Sequence, residues 1–172
     1  MKPTVLSALL LAALATPAAA EEIRARLSGY QEVPSVSTPA GGEFKAHISR
    51  DDGLIEYELS YSDLIGTVQQ SHIHFGQRSV NGSIVIWLCQ TATTPAPATV
   101  AGITPMCPQS GTVNGTITTA NVVASGTASQ QIGAGELDEV VDAIKGGVAY
   151  VNVHATPLNG GGEIRGQIKR VD

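Results

Sequence analysis

Three of the four histidines in the chain fall into two short motifs whose spacing suits metal chemistry. The first motif is QQSHIHFG, with His72 and His74 one residue apart. The second is YVNVHA, which carries His154. Alternate side chains of a β-strand share a face, about 6.5–7 Å apart at the backbone. His72 and His74 therefore point one way, and Ile73 and Phe75 the other. In the second motif Val151 and Val153 take one face, and Tyr150, Asn152 and His154 the opposite one. All three histidines lie on faces that apolar residues avoid. If the two strands are neighbours, His72, His74 and His154 converge on one ion outside the hydrophobic core. Imidazole binds zinc and copper well, and three histidines with an open fourth position is an arrangement known from catalytic metal sites. The same H-x-H pattern also arises on a solvated strand face, so a metal-free reading stays open. Asn152 shares the His154 face and would orient a ligand or cap a turn. His47 has no histidine two residues away and reads as a surface residue. Whether it joins the site is open.

Other chemistries find little support. There is no G-x-S-x-G elbow, P-loop or H-E-x-x-H motif. Asp51 and Asp52 adjoin Gly53 and read as turn residues. The net charge is −5, spread along the chain without a basic run. That argues against nucleic acid or an anionic membrane surface as partner. Trp87 sits in the apolar run SIVIWLC and reads as core. Glu32, in QEVP, reads as a solvated loop carboxylate.

The elements that would position the histidines are short β-like runs separated by Gly, Pro, Asn and Asp. Period-2 alternation marks strands over 22–28, 43–49, 54–62, 71–75, 83–89, 111–118, 148–154 and 162–170, with a hairpin turn at Asp51–Gly53. One segment has helical spacing instead: Leu137, Val140, Val141 and Ile144. Glu136, Asp138 and Glu139 lead it, Lys145 ends it, and Gly146 reads as its C′ residue. The expected fold is all-β, an antiparallel Greek-key sandwich or barrel of about eight strands, with one short helix over an open end or edge. Gly160, Gly161 and Gly162 read as a loop with positive φ, or as room for a ligand to approach the backbone. Glu163 and Arg165 share a strand face and read as members of an ion-pair network.

Residues 1–20 read as a signal peptide. Lys2 precedes the short apolar core Val5–Ala15, and small residues close it at Ala20. Residues 21–172 would then form one exported domain, periplasmic or secreted, without membrane insertion after cleavage. In an oxidising compartment Cys89 and Cys107 read as a disulfide closing the Gln90–Met106 loop.

Three segments carry a resemblance: LSGYQEVPSVSTPAGGEFKAHI, HIHFG and AYVNVHATPLNGGGEIRGQI, in that order. Together they resemble the CHRD domain, named from chordin and found in exported proteins, over about Leu27 to Ile168. That resemblance implies a secreted β-rich domain. A looser likeness is to copper–zinc superoxide dismutase, which has an H-x-H strand, a later histidine at a strand end and an arginine before the final strand. It implies that His72, His74 and His154 bind copper and that Arg165 draws anions toward it. No histidine lies between His74 and His154, so that family's bridging and zinc-site ligands are absent, and the cysteine pair sits elsewhere. The leading expectation is a CHRD-type protein holding copper, with zinc as the alternative. A metal-free extracellular interaction module is the other class. An enzyme would be copper-dependent and act on superoxide or another O2 species.

Overall fold

The computed structural model describes residues 20–49 and 51–171. The signal-peptide expectation falls almost wholly outside them. Among the described residues, no helix is long and apolar enough to cross a membrane.

The alternation seen in the sequence becomes strands with one face inward. In β1 (Glu21–Ser28), Ile23, Ala25 and Leu27 are buried while Arg24 and Arg26 are exposed. β2 (Gly41–Ile48) buries Phe44, Ala46 and Ile48, and β3 (Ile55–Ser62) buries Ile55, Tyr57, Leu59 and Tyr61. The remaining long strands are β4 (Thr67–Phe75), β5 (Ser83–Cys89), β6 (Gly111–Ile117), β7 (Ala149–Thr156) and β8 (Asn159–Gln167). A short β9 (Lys169–Arg170) pairs with β1.

All paired strands are antiparallel, in the order β5-β4-β7-β8-β1-β2-β3-β6. The two ends of that order approach each other. Ile86 of β5 bridges to Val122 just beyond β6, and the Tyr57 hydroxyl donates to the Leu88 carbonyl at 2.6 Å. The result is a nearly closed barrel. The β3–β4 connection skips over β6 and β5, and the β6–β7 connection skips back over β5 and β4. These are Greek-key crossings, as the strand pattern predicts.

One side of the barrel departs from simple alternation. β4, β7 and β8 are buried on both faces over most of their length. Inward, Ile73, Val151, Val153 and Ile164 join the core, each contributing about 1.5–3 kcal/mol by leaving water. Outward, the polar residues of the same strands are covered by two loops. These follow β1 and β4, and Asn81 Nδ2 ties them together by donating to the Val33 carbonyl at 3.1 Å.

The helix α1 (Leu137–Lys145) forms where its spacing predicts, with Leu137, Val140, Val141 and Ile144 in the core. Its end differs by one residue from expectation. Gly146 keeps helical angles and Gly147 takes the left-handed conformation, φ 70°. The Val148 N–H then donates to the Ala143 carbonyl and the Gly147 N–H to the Ile144 carbonyl, a Schellman closure. Lys145 pairs with Asp52 of the β2–β3 turn at 2.7 Å, so the helix reaches from β7 toward the far hairpin.

Cys89 and Cys107 are bonded. The loop they close has a packed polar centre. Gln90 is buried inside it and bonds the carbonyls of Ala101 and Thr104 and the N–H of Ala96.

Candidate metal centre

The antiparallel pairing of β4 with β7 sets His72 opposite Asn152 and His74 opposite Tyr150. His154 lies one step along, opposite Gln70. Outward-facing neighbours on adjacent strands have their side chains within reach. The three rings do meet: one ligand nitrogen from each of His72, His74 and His154 lies within 4.8 Å of the others. His72 Nδ1 is 3.2 Å from His154 Nε2.

The cluster is on the outer wall of the barrel, as its strand faces require, but it is not wet. His72 is fully buried, and His74 and His154 are each 7 % exposed. Burial lowers all three imidazoles, His74 to about 4 and His72 well below its ordinary value. Neighbouring rings add to the effect at His72. Neutral imidazole is the form that ligates a metal.

The ring tautomers follow from the acceptors around them. A carbonyl can only accept, so His74 Nδ1 donates to Gly82 O at 2.9 Å, and His154 Nδ1 donates to Gly160 O at 2.9 Å. Each ring therefore turns an unprotonated Nε2 inward. Metal-binding histidines are commonly tied in this way through their outer nitrogen. The Asn152 side-chain oxygen sits 3.0 Å from His74 Nε2 and 3.1 Å from His154 Nε2. His72 Nε2 is buried without a hydrogen-bond partner.

Aromatic groups pack the rings from outside. Trp87 meets His72 edge-on with centroids 4.3 Å apart. It is half-buried against the cluster rather than a member of the core, because a register shift in the β4–β5 pairing puts it opposite His72. The Tyr150 ring stacks on His74 at 4.6 Å, and the Arg165 guanidinium lies 3.4 Å above the Tyr150 centroid.

Arg165 is otherwise engaged with the covering loop. It donates to the carbonyls of Gln77 and Val80 and to Asn81 Oδ1. At 2 % exposure, it clamps this loop over the histidines. Glu163 does not pair with it. Its Oε1 accepts from the Thr38 hydroxyl at 2.6 Å and the Ile65 N–H at 2.8 Å. In place of an ion-pair network, the two residues serve as separate structural anchors for the loops.

The carboxylate that does face Arg165 is Glu32, although its motif reads as a solvated loop. It is 6 % exposed. Burial pushes its carboxyl up to about 7, against the opposing pull of Arg165 and the Asn152 amide. Gly162 makes room for it. A Cβ at that position would lie 2.4 Å from Glu32 Oε1 and 2.9 Å from Asn152 Nδ2. The three glycines belong to strand β8 rather than a loop, and of them Gly162 has positive φ, 127°. His47 is exposed on β2 opposite Glu56, away from the cluster.

Against known proteins, the sequence profile of the CHRD domain matches residues 23–168. No curated protein and no solved structure matches the chain at a significant level, and nothing found supports the likeness to copper–zinc superoxide dismutase. The three segments quoted for the resemblance come together at this one place. Glu32 comes from the first, His72 and His74 from the second, and Asn152, His154, Gly162, Glu163 and Arg165 from the third.

Proposed function

The chain belongs to the CHRD domain family, and on that footing we propose that it is an exported protein that holds a transition metal through His72, His74 and His154. The observation that carries this reading is the inward pair of unprotonated nitrogens. His74 and His154 each spend their one N–H on a backbone carbonyl, leaving two lone pairs and an amide oxygen facing one another in a buried space. A cation relieves that arrangement.

Copper is favoured and zinc is second. Imidazole nitrogen suits both, and affinity for a given nitrogen site rises to Cu(II) and falls again at Zn(II). Bound metal would supply a positive centre and, for copper, a one-electron couple. The chain's own residues hold it in place. Gly82 and Gly160 fix two ring tautomers, Trp87 and Tyr150 pack the rings, and Arg165 and Glu163 anchor the loops that exclude water.

Export fits the disulfide between Cys89 and Cys107. The test of the metal reading is calorimetric titration of the folded protein with Cu(II) and Zn(II). One equivalent binds tightly, and His72→Ala or His154→Ala weakens it at least a hundredfold. Binding no tighter than that of the urea-unfolded chain would leave the second reading, a metal-free interaction module. That reading draws on one observation: His72 Nδ1–H can donate to His154 Nε2 at 3.2 Å without any ion.

A further inference from the structure

We propose that the Asn152 side-chain oxygen is the fourth donor of the metal site, and that Glu32 turns the amide so that this oxygen faces the histidines. The proposal rests on the three-histidine reading and closes the shell which that reading leaves open.

Three acceptors meet at this point. His74 Nε2 and His154 Nε2 carry lone pairs, because the other nitrogen of each ring donates to a carbonyl. Asn152 Oδ1 lies 3.0 and 3.1 Å from them. It is an acceptor too. Three acceptors at hydrogen-bond distance with no hydrogen between them repel, unless a cation lies among them.

Three of the donor separations fit such a cation directly, and the remaining histidine separations, within 4.8 Å, would tighten on binding. A tetrahedral shell with bonds of about 2.0–2.1 Å sets neighbouring donors about 3.3 Å apart. The His72 Nδ1–His154 Nε2 separation is 3.2 Å, and both Asn152 separations are close to it.

The amide is held from its other end. A rotated Asn152 would present its NH2 to both histidines and remove the conflict without metal. Glu32 opposes that rotation. Its Oε1 is buried with no fully formed hydrogen bond, and it shares with Asn152 Nδ2 the space left by the missing side chain of Gly162. The amide NH2 lies on the Glu32 side, against the same gap as the carboxyl, and the amide oxygen lies on the histidine side. Glu32 is in this sense a positioning residue for the Asn152 donor.

A closed shell of three imidazoles and one amide oxygen has a chemical consequence. It accepts a divalent cation such as Cu(II) or Zn(II), and it offers no vacant position to O2, superoxide or an added anion. The metal is held within the wall and does not react there by direct ligation.

The experiment uses the whole chain loaded with one equivalent of Cu(II), with azide as the probe. The electron paramagnetic resonance spectrum of the loaded wild type stays unchanged at millimolar azide. The Asn152→Ala variant still binds one equivalent, and its spectrum shifts with azide. Asn152→Asp restores a closed, azide-insensitive shell. Glu32→Gln, which can donate as well as accept, lowers Cu(II) affinity about tenfold while leaving the far-ultraviolet circular dichroism unchanged. An azide-induced shift in the wild type overturns this proposal and leaves the three-histidine site standing. Failure of the wild type to bind Cu(II) at all overturns both. Should Asn152→Ala not fold, the wild-type azide response and the Glu32→Gln affinity decide the matter.

Discussion

His72 Nδ1 and His154 Nε2 lie 3.2 Å apart, although 82 residues separate them in the chain. The β4–β7 pairing makes this possible, since it joins the strand after the first long crossover to the strand after the helix. The cluster is therefore a product of the closed fold, and binding there is linked to folding. A metal that binds only the folded state at a free concentration a hundred times its dissociation constant adds about 2.7 kcal/mol of stability. Thermal unfolding should shift upward with one equivalent of Cu(II) and return to the metal-free value with excess chelator. In His72→Ala or His154→Ala, with affinity a hundredfold weaker, the same free concentration should add only about 0.4 kcal/mol. A shift that survives undiminished in both variants would place the binding elsewhere.

Glu32 should leave its mark on stability as a function of pH in the metal-free protein. Its carboxyl titrates at about 7 when folded, against a usual value of 4.5. A raised value means that the folded state holds the proton more tightly. The stabilising effect is complete below about 4.5 and is lost as pH rises to about 7. Glu32→Gln lacks this dependence. The stability difference, variant minus wild type, should therefore grow by about 2–4 kcal/mol between pH 4.5 and 7 and stay level above. The depressed histidines act in the opposite sense, losing stability as pH falls below about 6.5, but they do so in both proteins and cancel in the difference. Urea unfolding at several pH values checks this. A flat difference would mean that Glu32 is not held in the buried, protonated state.

Gly162→Ala should be costly and Gly161→Ala harmless. At Gly162 the backbone has φ 127° and a Cβ would sit 2.4 Å from Glu32 Oε1. The strained angle alone costs about 1–3 kcal/mol, and the displaced carboxyl would free the Asn152 amide. At Gly161 nothing lies within 4 Å of a built Cβ, so its change should stay within about 0.5 kcal/mol. Denaturant midpoints of the two variants test the contrast.

The disulfide loop should depend on Gln90 as well as on the crosslink. Loss of the Cys89–Cys107 bond, which spans 18 residues, should cost about 3 kcal/mol in the chain-entropy account. Gln90→Ala removes three hydrogen bonds to the loop backbone and should cost about 2–3 kcal/mol. With the disulfide intact, it should also expose the loop to limited proteolysis. Equal cleavage rates in variant and wild type would show that the bond alone orders the loop.

Much of this was legible in the sequence because it is local. Alternation gave the strands, the spacing of Leu137, Val140, Val141 and Ile144 gave the helix, and the parity of His72, His74 and His154 gave their common outward face. What alternation does not encode is whether another segment lies over a face. Glu32 reads as a solvated carboxylate because it follows a strand in a polar loop, yet the loop folds back onto β7 and β8 and buries it. Arg165 and Glu163 are two apart on β8, and parity alone suggests a pair. Their partners come instead from three loops distant in sequence. Trp87 reads as core from its apolar neighbours, but an irregular β4–β5 register turns it toward His72. The glycines at 160–162 read as a loop, whereas the missing side chain at Gly162 serves a close approach within a strand. The CHRD resemblance already contained these residues. Only the closed barrel brings its three segments to one site.

The most direct measurement is the electron paramagnetic resonance spectrum of the protein carrying one equivalent of Cu(II). The account predicts hyperfine coupling to three equivalent-type imidazole nitrogens, reduced to two in His72→Ala and in His154→Ala. A spectrum without nitrogen coupling, or one that neither substitution alters, would contradict it.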